Sequence, residues 1–295
     1  MANLKAIRTR IKSVQSTQKI TRAMKMVAAA KVRRAQARAL AARPYTQRIV
    51  TMLREIVRDT DAIDLNELPL LRRRDVKTVA LMVISSDRGL CGSYNGTIMR
   101  ASMERIRELQ KEGKTVKLVL VGLKAAGFFR SIKIEKLMDP FTLLPAVPSV
   151  QEAKLIADKI TDAFTEGKVD AVEIISTHFV NMLVSNVRIT KYLPVEMPPK
   201  ADDDGLSAVT LFEPSIPAVL ELELVPKYVE NVIYQCLLDA SAAELAARMN
   251  AMSSASTNAQ EIIQGLTLVY NRARQASVTQ ELLEIVAGAE ALKAR

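Results

Sequence analysis

The first 58 residues constrain this chain more than any other stretch. They contain no glycine, and their only proline, Pro44, comes late. Apolar residues at Leu4, Ile7, Ile11 and Val14 keep the 3-4-3 spacing of a seam along one helix. The seam is expected to resume with Ile20, Met24, Val27, Val32 and Ala35, with Asn3 as N-cap and Pro44 as a kink or local irregularity. A single helix of this length would run on the order of 85 Å, far beyond the width of one globular domain. Such a rod needs a partner. It also carries fifteen Lys or Arg and one acidic residue, Glu55. Because the whole chain has a net charge of +10, the remainder is slightly acidic. A solvated helix face would account for a short run; one this long and one-signed points to an acidic or polyanionic partner.

Hydrophobic residues make up 49% of the 295, which excludes wholesale disorder. Aromatics are only 4% and Trp is absent, while Ala is abundant, a balance that favours long, closely packed helices over a β-sandwich. Cys91 and Cys236 stand alone, far apart, and fit a reducing compartment better than a disulfide scaffold. His178 is the only histidine. No apolar run is long enough for a transmembrane helix. The basic start lacks the apolar core and cleavage site of a secretory signal, and its helical pattern continues well past the length of a mitochondrial presequence.

Beyond residues 1–58, a linker over 59–75 is marked by Asp59, Asp61, Asp64, Asn66 and Pro69. Residues 76–198 alternate strand and helix patterns: strands over Val76–Ile84, Thr115–Val121, Val169–His178 and Asn186–Leu193, and a short one at Ile132–Glu135. Helices are expected from Tyr94 to Glu112, from Gly122 to Phe129, and from Val150 to Thr165, the last opened by the capping box Ser149/Glu152. This alternation argues for a largely parallel sheet with helices on its faces. Residues 199–225 read as a connector rich in Pro and Asp. Over 226–295 the helical seam returns with Val229, Val232, Ile233, Cys236, Leu237, Ala240, Ala243 and Ala247, and continues through Leu266, Val269, Leu282, Leu283 and Val286. Its Ala- and Ser-rich part suits close contact with Ala28–Ala30 of the first helix. The expected fold is α/β, a long antiparallel coiled coil of the N- and C-terminal helices with a Rossmann-like α/β domain inserted.

Candidate chemistry is sparse. The turn Asp87–Gly92 (DRGLCG) follows a strand and precedes a helix, where open α/β sheets bind ligands. It matches neither GxxxxGK[ST] nor GxGxxG, so a tight structural turn is the better account. Cys91 and His178 read as structural, Asp202–Asp204 as a solvated turn, and Met24, Met26, Met249 and Met252 as core or adaptable contact surface. No carboxylate pair, nucleophile triad or metal set emerges, which argues against an enzyme acting alone. The basic rod could bind nucleic acid or an acidic protein surface. Its cations are spread around many turns and lack interleaved aromatics, which favours the protein partner.

Three stretches, taken together, resemble the gamma subunit of F-type ATP synthases: Ile20–Lys31 (ITRAMKMVAAAK) with Arg33–Gln36 behind it, Asp87–Gly92, and Tyr270–Glu281 (YNRARQASVTQE) followed by Glu284–Ala289. The likeness runs the length of the chain. It implies that the terminal helices form an asymmetric shaft inside a ring of three alpha and three beta subunits. Proton flow turns the shaft, driving the beta sites through their nucleotide states and regulating ATPase activity. It implies contact of the central domain with the epsilon subunit and the membrane c-ring. No catalytic, cofactor or metal site and no nucleic acid partner is expected. By the same resemblance Met24 meets an acidic lever segment of beta, and Arg274, Gln275 and Thr279 lie near the upper contact with beta. Lys19, Arg22 and Lys25 are added on charge alone. The implied location is peripheral, on the cytoplasmic face of a bacterial plasma membrane, or on a thylakoid or other energy-transducing membrane. Two departures stand out. The close redox cysteine pair of chloroplast-type relatives is absent, and Ser93-Tyr94 follow Gly92 where the family often has another glycine.

Overall fold

The computed structural model describes residues 4–59, 68–196 and 216–293. In chain order the elements are α1 (Leu4–Asp59), β1 (Thr78–Ile84), α2 (Tyr94–Lys111), β2 (Thr115–Val121), α3 (Leu123–Phe128), α4 (Val150–Thr165), β3 (Ala171–Phe179), β4 (Ser185–Leu193), α5 (Ile216–Val219) and α6 (Val225–Lys293). A π turn, Leu220–Leu224, joins α5 to α6 without a break. The chain divides into two compact units. One comprises residues 1–28 with 249–295, the other residues 29–248.

In the larger unit the sheet order is β2-β1-β3-β4. β1 pairs in parallel with both β2 and β3, and β4 closes one edge antiparallel to β3. Alternation along the strands divides the core in two. Val79, Leu81 and Val83 face Ile98, Ile106 and Leu109 of α2, while Ala80, Met82 and Ile84 face Ile156, Ile160 and Phe164 of α4. Both central strands are buried almost throughout, which is why β1 reads as a continuous apolar run rather than an alternating one. Arg105 of α2 forks onto Glu173 of β3 through two 2.7 Å bonds, so this buried carboxylate is paired as well as hydrogen-bonded.

Both long helices join these cores. Ile49, Leu53 and Ile56 of α1 and Val225, Val229, Ile233 and Leu237 of α6 belong to the α4-side cluster. Val32 and Ala35 of α1, with Ala242, Ala243, Leu245 and Ala246 of α6, belong to the α2-side cluster. Residues 228–250 of α6 are buried or half-buried at every position, so no single stripe describes them. The two helices run antiparallel: Asn231 Nδ2 donates to Thr46 Oγ1 at 2.7 Å, and further along α6 Gln235 Nε2 reaches back to Ala39 O.

In the smaller unit, α1 and α6 also pack antiparallel. Gln18 Nε2 donates to Gln260 Oε1 and Lys25 Nζ to Ser253 Oγ, so a step of two turns up one helix is a step of two turns down the other. The inward residues are Leu4, Ile7, Ile11, Val14, Gln18, Thr21, Met24 and Ala28 on α1, and Met252, Ser256, Ala259, Ile263, Leu266, Tyr270, Ala273 and Ser277 on α6. These steps of three and four are those of a left-handed two-helix seam.

Several sequence expectations change here. Ile20 and Val27 are each 57% exposed, because the repeat that starts at Leu4 arrives at Gln18 and Thr21 instead. Val269, Leu282, Leu283 and Val286 are likewise exposed. Val269 falls between Leu266 and Tyr270, and the other three lie past the register partner of Leu4. No strand forms at Ile132–Glu135; that stretch makes isolated bridges at Lys136 and Phe141 beside β2. Helix resumes at Ile216, ahead of Pro226, because Leu220 and Leu224 are core residues. The π turn places Val225 N on Leu220 O just before Pro226, whose ring and missing N–H disrupt regular α geometry. The Ser149/Glu152 capping box is present, with Ser149 N donating to Glu152 Oε2 at 2.8 Å. Asn3, residues 60–67 of the 59–75 linker and Asp202–Asp204 lie outside the described residues.

Ala35 is fully buried among Ala242, Ala243 and Ala246. Ala35→Leu should therefore overpack the contact and cost about 1–3 kcal/mol. Ala37→Leu, on the exposed face, should leave the denaturant midpoint unchanged. Equal midpoints for the two variants would refute the close packing.

Candidate partner-docking surfaces

The smaller unit places the sequence-predicted contact residues on its outside. Between residues 1 and 28, α1 carries seven Lys or Arg and no Asp or Glu. Lys5, Arg8, Arg10, Lys12, Lys19, Arg22 and Lys25 are all exposed, as the seam spacing requires of every residue outside it. Among the described residues none of them stands in an ion pair. Lys25 reaches α6 by donating to Ser253 Oγ. Met24 is half-buried in the seam, and Ile20, Met26 and Val27 add exposed apolar surface between the cations. On α6, Arg274, Gln275 and Thr279 are exposed, and Thr279 Oγ1 donates to Gln275 O at 2.9 Å.

The structure does not bring these seven residues together. Lys19, Arg22, Met24 and Lys25 lie within two turns of α1, where Lys25 meets Ser253. Arg274, Gln275 and Thr279 form a second group, about 30 Å farther along α6 at the helical rise per residue. Beyond them Val278, Leu282, Leu283, Ile285 and Val286 are exposed, from 49% to 67%. The sequence reading assigned Leu282, Leu283 and Val286 to the seam and so missed an apolar surface. Their failure to keep the 4-3 step after Tyr270, Ala273 and Ser277 was the available signal.

In the larger unit the Asp87–Gly92 turn sits at the carboxyl ends of β1 and β2, where a ligand would enter. Its polar groups serve its own chain. Ser86 N donates to Asn95 Oδ1 at 3.1 Å, Ser86 Oγ lies 2.7 Å from Arg88 O, and Asn95 Nδ2 reaches Cys91 Sγ at 3.2 Å. The first four N–H groups of α3 are all taken. Leu123 N donates to Asp87 Oδ1, Lys124 N to Ser86 O, Ala125 N to Ser85 Oγ and Ala126 N to Gly122 O. Those are the groups a phosphate would need. Gly122 has a φ of 93°, and a Cβ there would lie 2.5 Å from Ser85 O, so only glycine fits the approach. Arg248 of α6 donates to Arg88 O and Gly89 O and pairs with Glu244, whose carboxyl is pushed up by burial against the pull of Arg248. A small polar cavity of about 140 Å³ remains between this turn, Lys31 and Ser241. The turn is a brace between sheet and α6.

His178 and Cys91 are structural as the sequence suggested. His178 Nδ1 meets the buried Asp239 Oδ2 at 2.6 Å, with Arg43 at 3.9 Å from the other oxygen, tying β3 to both helices. Burial pushes the Cys91 thiol up and the Cys236 thiol up to about 11. Among the described residues no group of His, Cys, Asp or Glu could hold a metal ion.

The smaller unit thus exposes cations outside any described ion pair together with apolar residues. Similar architectures occur in rotor assemblies. Over 80% of this chain and 99% of its own, the central stalk of the Tetrahymena thermophila mitochondrial ATP synthase matches with a TM-score of 0.57 and 25% identity. A chain of the Euglena gracilis mitochondrial ATP synthase, in an OSCP/F1/c-ring structure, shares the fold with a TM-score of 0.68 at 19% identity, over 99% and 95% of the two chains. The ATP synthase family model matches residues 3–292. ATP synthase gamma chains of Synechococcus elongatus and Thermosynechococcus vestitus are each 44% identical over 99% of this chain and at least 99% of their own. The chain belongs to the ATP synthase gamma-chain family.

The thiol environment can be checked directly. A thiol pKa raised by folding means the folded protein holds those protons more tightly than the unfolded chain, so this contribution to stability is present below the ordinary thiol range and fades as pH rises toward 11. Alkylation of native protein at pH 8 should be slow at both cysteines and complete in denaturant. Rapid native labelling of Cys236 at that pH would contradict its raised thiol pKa.

Proposed function

We propose that this chain is the central rotary shaft of an F-type ATP synthase, coupling transmembrane proton flow to conformational change at the catalytic beta subunits. The observation that carries the proposal is the smaller unit: two antiparallel helices, seamed inward, with seven exposed cations and no acidic residue on the α1 strand of the pair. As the shaft turns, it presents different combinations of charge and apolar surface to a surrounding ring. Only those beta conformations with complementary surfaces are favoured at each angle. The chain itself performs no chemistry; its partners are three alpha and three beta subunits, the epsilon subunit and the membrane c-ring. Lys19, Arg22, Met24 and Lys25 form one contact patch and Arg274, Gln275 and Thr279 the other. Through these contacts the chain also regulates ATPase activity.

Among the described residues no helix is long and apolar enough to cross a membrane, which suits attachment through the complex. We place the complex on the cytoplasmic face of a bacterial plasma membrane, with a thylakoid or other energy-transducing membrane as the alternative. The alignment with the Synechococcus elongatus relative spans 317 positions, more than the 295 residues of this chain, so that relative carries residues this chain lacks. Together with two isolated cysteines, this speaks against thiol switching of the chloroplast type.

Reconstitution tests the proposal. Alpha and beta subunits mixed with this chain should form a stoichiometric complex whose ATP hydrolysis exceeds that of alpha and beta alone. Replacing Lys19, Arg22 and Lys25 together by Glu should weaken assembly at least tenfold at low salt, with the difference shrinking as salt screens the contact. No change in hydrolysis on adding the chain, with salt-sensitive DNA binding instead, would sink the proposal in favour of a nucleic-acid binder.

A further inference from the structure

The π turn ahead of α6 borders a trough. Leu220, Leu224, Val225 and Val229 point inward and are buried, while Leu222 on the same wide turn is 72% exposed. Single π turns within α-helices collect at functional sites. Here Leu222, Val225 and Val229 line a trough of about 320 Å³, with α4 and residues 68–70 supplying the rest of its lining. That volume stands at the small end of the range for ligand pockets. Every residue of the lining belongs to the larger unit.

The lining divides by chemistry. Leu68, Ala157, Val225 and Val229 are apolar and buried. Asp158, Thr161 and Thr165 of α4 and Glu221 of the π turn are the polar members. Asp158, Thr165 and Glu221 are exposed and Thr161 is half-buried, so the polar groups stand at the edge of an apolar interior. Asp158 and Glu221 lie in no ion pair among the described residues, and no Lys or Arg lines the trough. In a chain of net charge +10, a hollow with two carboxylates and no cation selects for the opposite charge in whatever enters it.

Hydrogen-bonding capacity points the same way. The Thr161 hydroxyl is shared between Ala157 O at 3.0 Å and Asp158 O at 2.9 Å, so its proton is committed to its own helix and its oxygen is left to accept. Pro69 and Pro226 bring no backbone N–H. The lining side chains offer carboxylate and hydroxyl oxygens and no N–H group. An anion meets nothing there that compensates its charge. A neutral apolar molecule gains the interior but leaves the carboxylates unused. An ammonium group donates charge-assisted bonds to them, and a hydrocarbon body attached to it takes the buried surface.

We propose that the trough between the π turn and α4 is a binding site for a small amphiphilic primary amine, with its ammonium held by Asp158 and Glu221 and its hydrocarbon body against Ala157, Val225 and Val229. Bound there, the ligand ties α4 to the first turns of α6. The site lies within one unit, and the proposal does not rest on the shaft function. Phenylbutylamine is the probe, titrated at neutral pH into the full-length chain beside phenylbutanol and phenylbutyrate and followed by saturation transfer from protein to ring protons. The amine should bind more tightly than the alcohol, and the carboxylate should show no transfer. Asp158→Asn together with Glu221→Gln should weaken the amine about fivefold, the worth of two exposed charge contacts, and high salt should narrow that difference. Thr165→Phe, which sets a ring in the trough, should abolish transfer to the amine. Asp162→Asn, on the same helix but outside the lining, should leave its affinity unchanged. All four positions are exposed, so each variant should melt where the parent chain does. Equal binding of the three probes overturns the choice of an amine. Amine binding that survives Thr165→Phe overturns the site, and an amine that shows no transfer overturns both.

Discussion

The close approach of α1 to α6 is the contact on which the remainder of the structure depends. In the larger unit small residues make it possible. Ala35 opposite Ala242, Ala243 and Ala246 leaves no space for longer side chains, and the surrounding cores from both sheet faces close over the pair. In the smaller unit the same two helices rely on a seam alone, with Ile7, Ile11, Val14, Ile263 and Leu266 as its apolar members. The Gln18–Gln260 bond lies at the seam's exposed edge, where it matches the register at little cost in burial. One pair of helices thus meets two different demands by changing composition along its length.

That economy decides where charge can go. A seam with steps of three and four consumes two positions in seven, and all others face water. Seven cations on residues 1–28 therefore cost the fold little beyond mutual repulsion, which salt screens. In the larger unit the balance is reversed. Glu173, Asp239 and Glu244 are shielded from solvent and each is matched by Arg105, by His178 with Arg43, and by Arg248. Charges that hold the fold are paired and covered; charges available to a partner are single and exposed.

Much of this was legible in the sequence. Thr115–Val121 and Val150–Thr165 coincide with β2 and α4, because a β-branched run ending at Gly122 and a capping box ahead of an amphipathic stretch are signals local to the segment. The outward facing of Lys19, Arg22 and Lys25 followed from charge. What escaped were the features that depend on a neighbour. Ile20 and Val27 are apolar and helically spaced, yet the register set by Leu4 turns them outward. Ile132–Glu135 has strand composition, but β2 is met only by isolated bridges just beyond it, at Lys136 and Phe141. The helix before Pro226 was hidden because Pro217 and Pro226 suggest a break, and only the burial of Leu220 and Leu224 explains why a π turn is tolerated there. The distance along the helix pair between Lys19, Arg22, Met24 and Lys25 and the group Arg274, Gln275 and Thr279 follows from the pairing of Lys25 with Ser253, which the sequence does not show.

The Asp87–Gly92 turn shows how a site can be lost to structure. An open α/β sheet offers its strand-to-helix turns to ligands because helix N–H groups there lack partners. In this chain Asp87, Ser86 and Ser85 accept from the first N–H groups of α3, and Arg248 covers the carbonyls on the other side. Every such bond made within the chain is one a phosphate would have to displace, at a cost it could not recover without an equivalent acceptor. The same bonds fix the turn against α6. What the fold gives up as a binding site it gains as a rigid mount, and a helix that is to carry torque needs the mount more than the ligand.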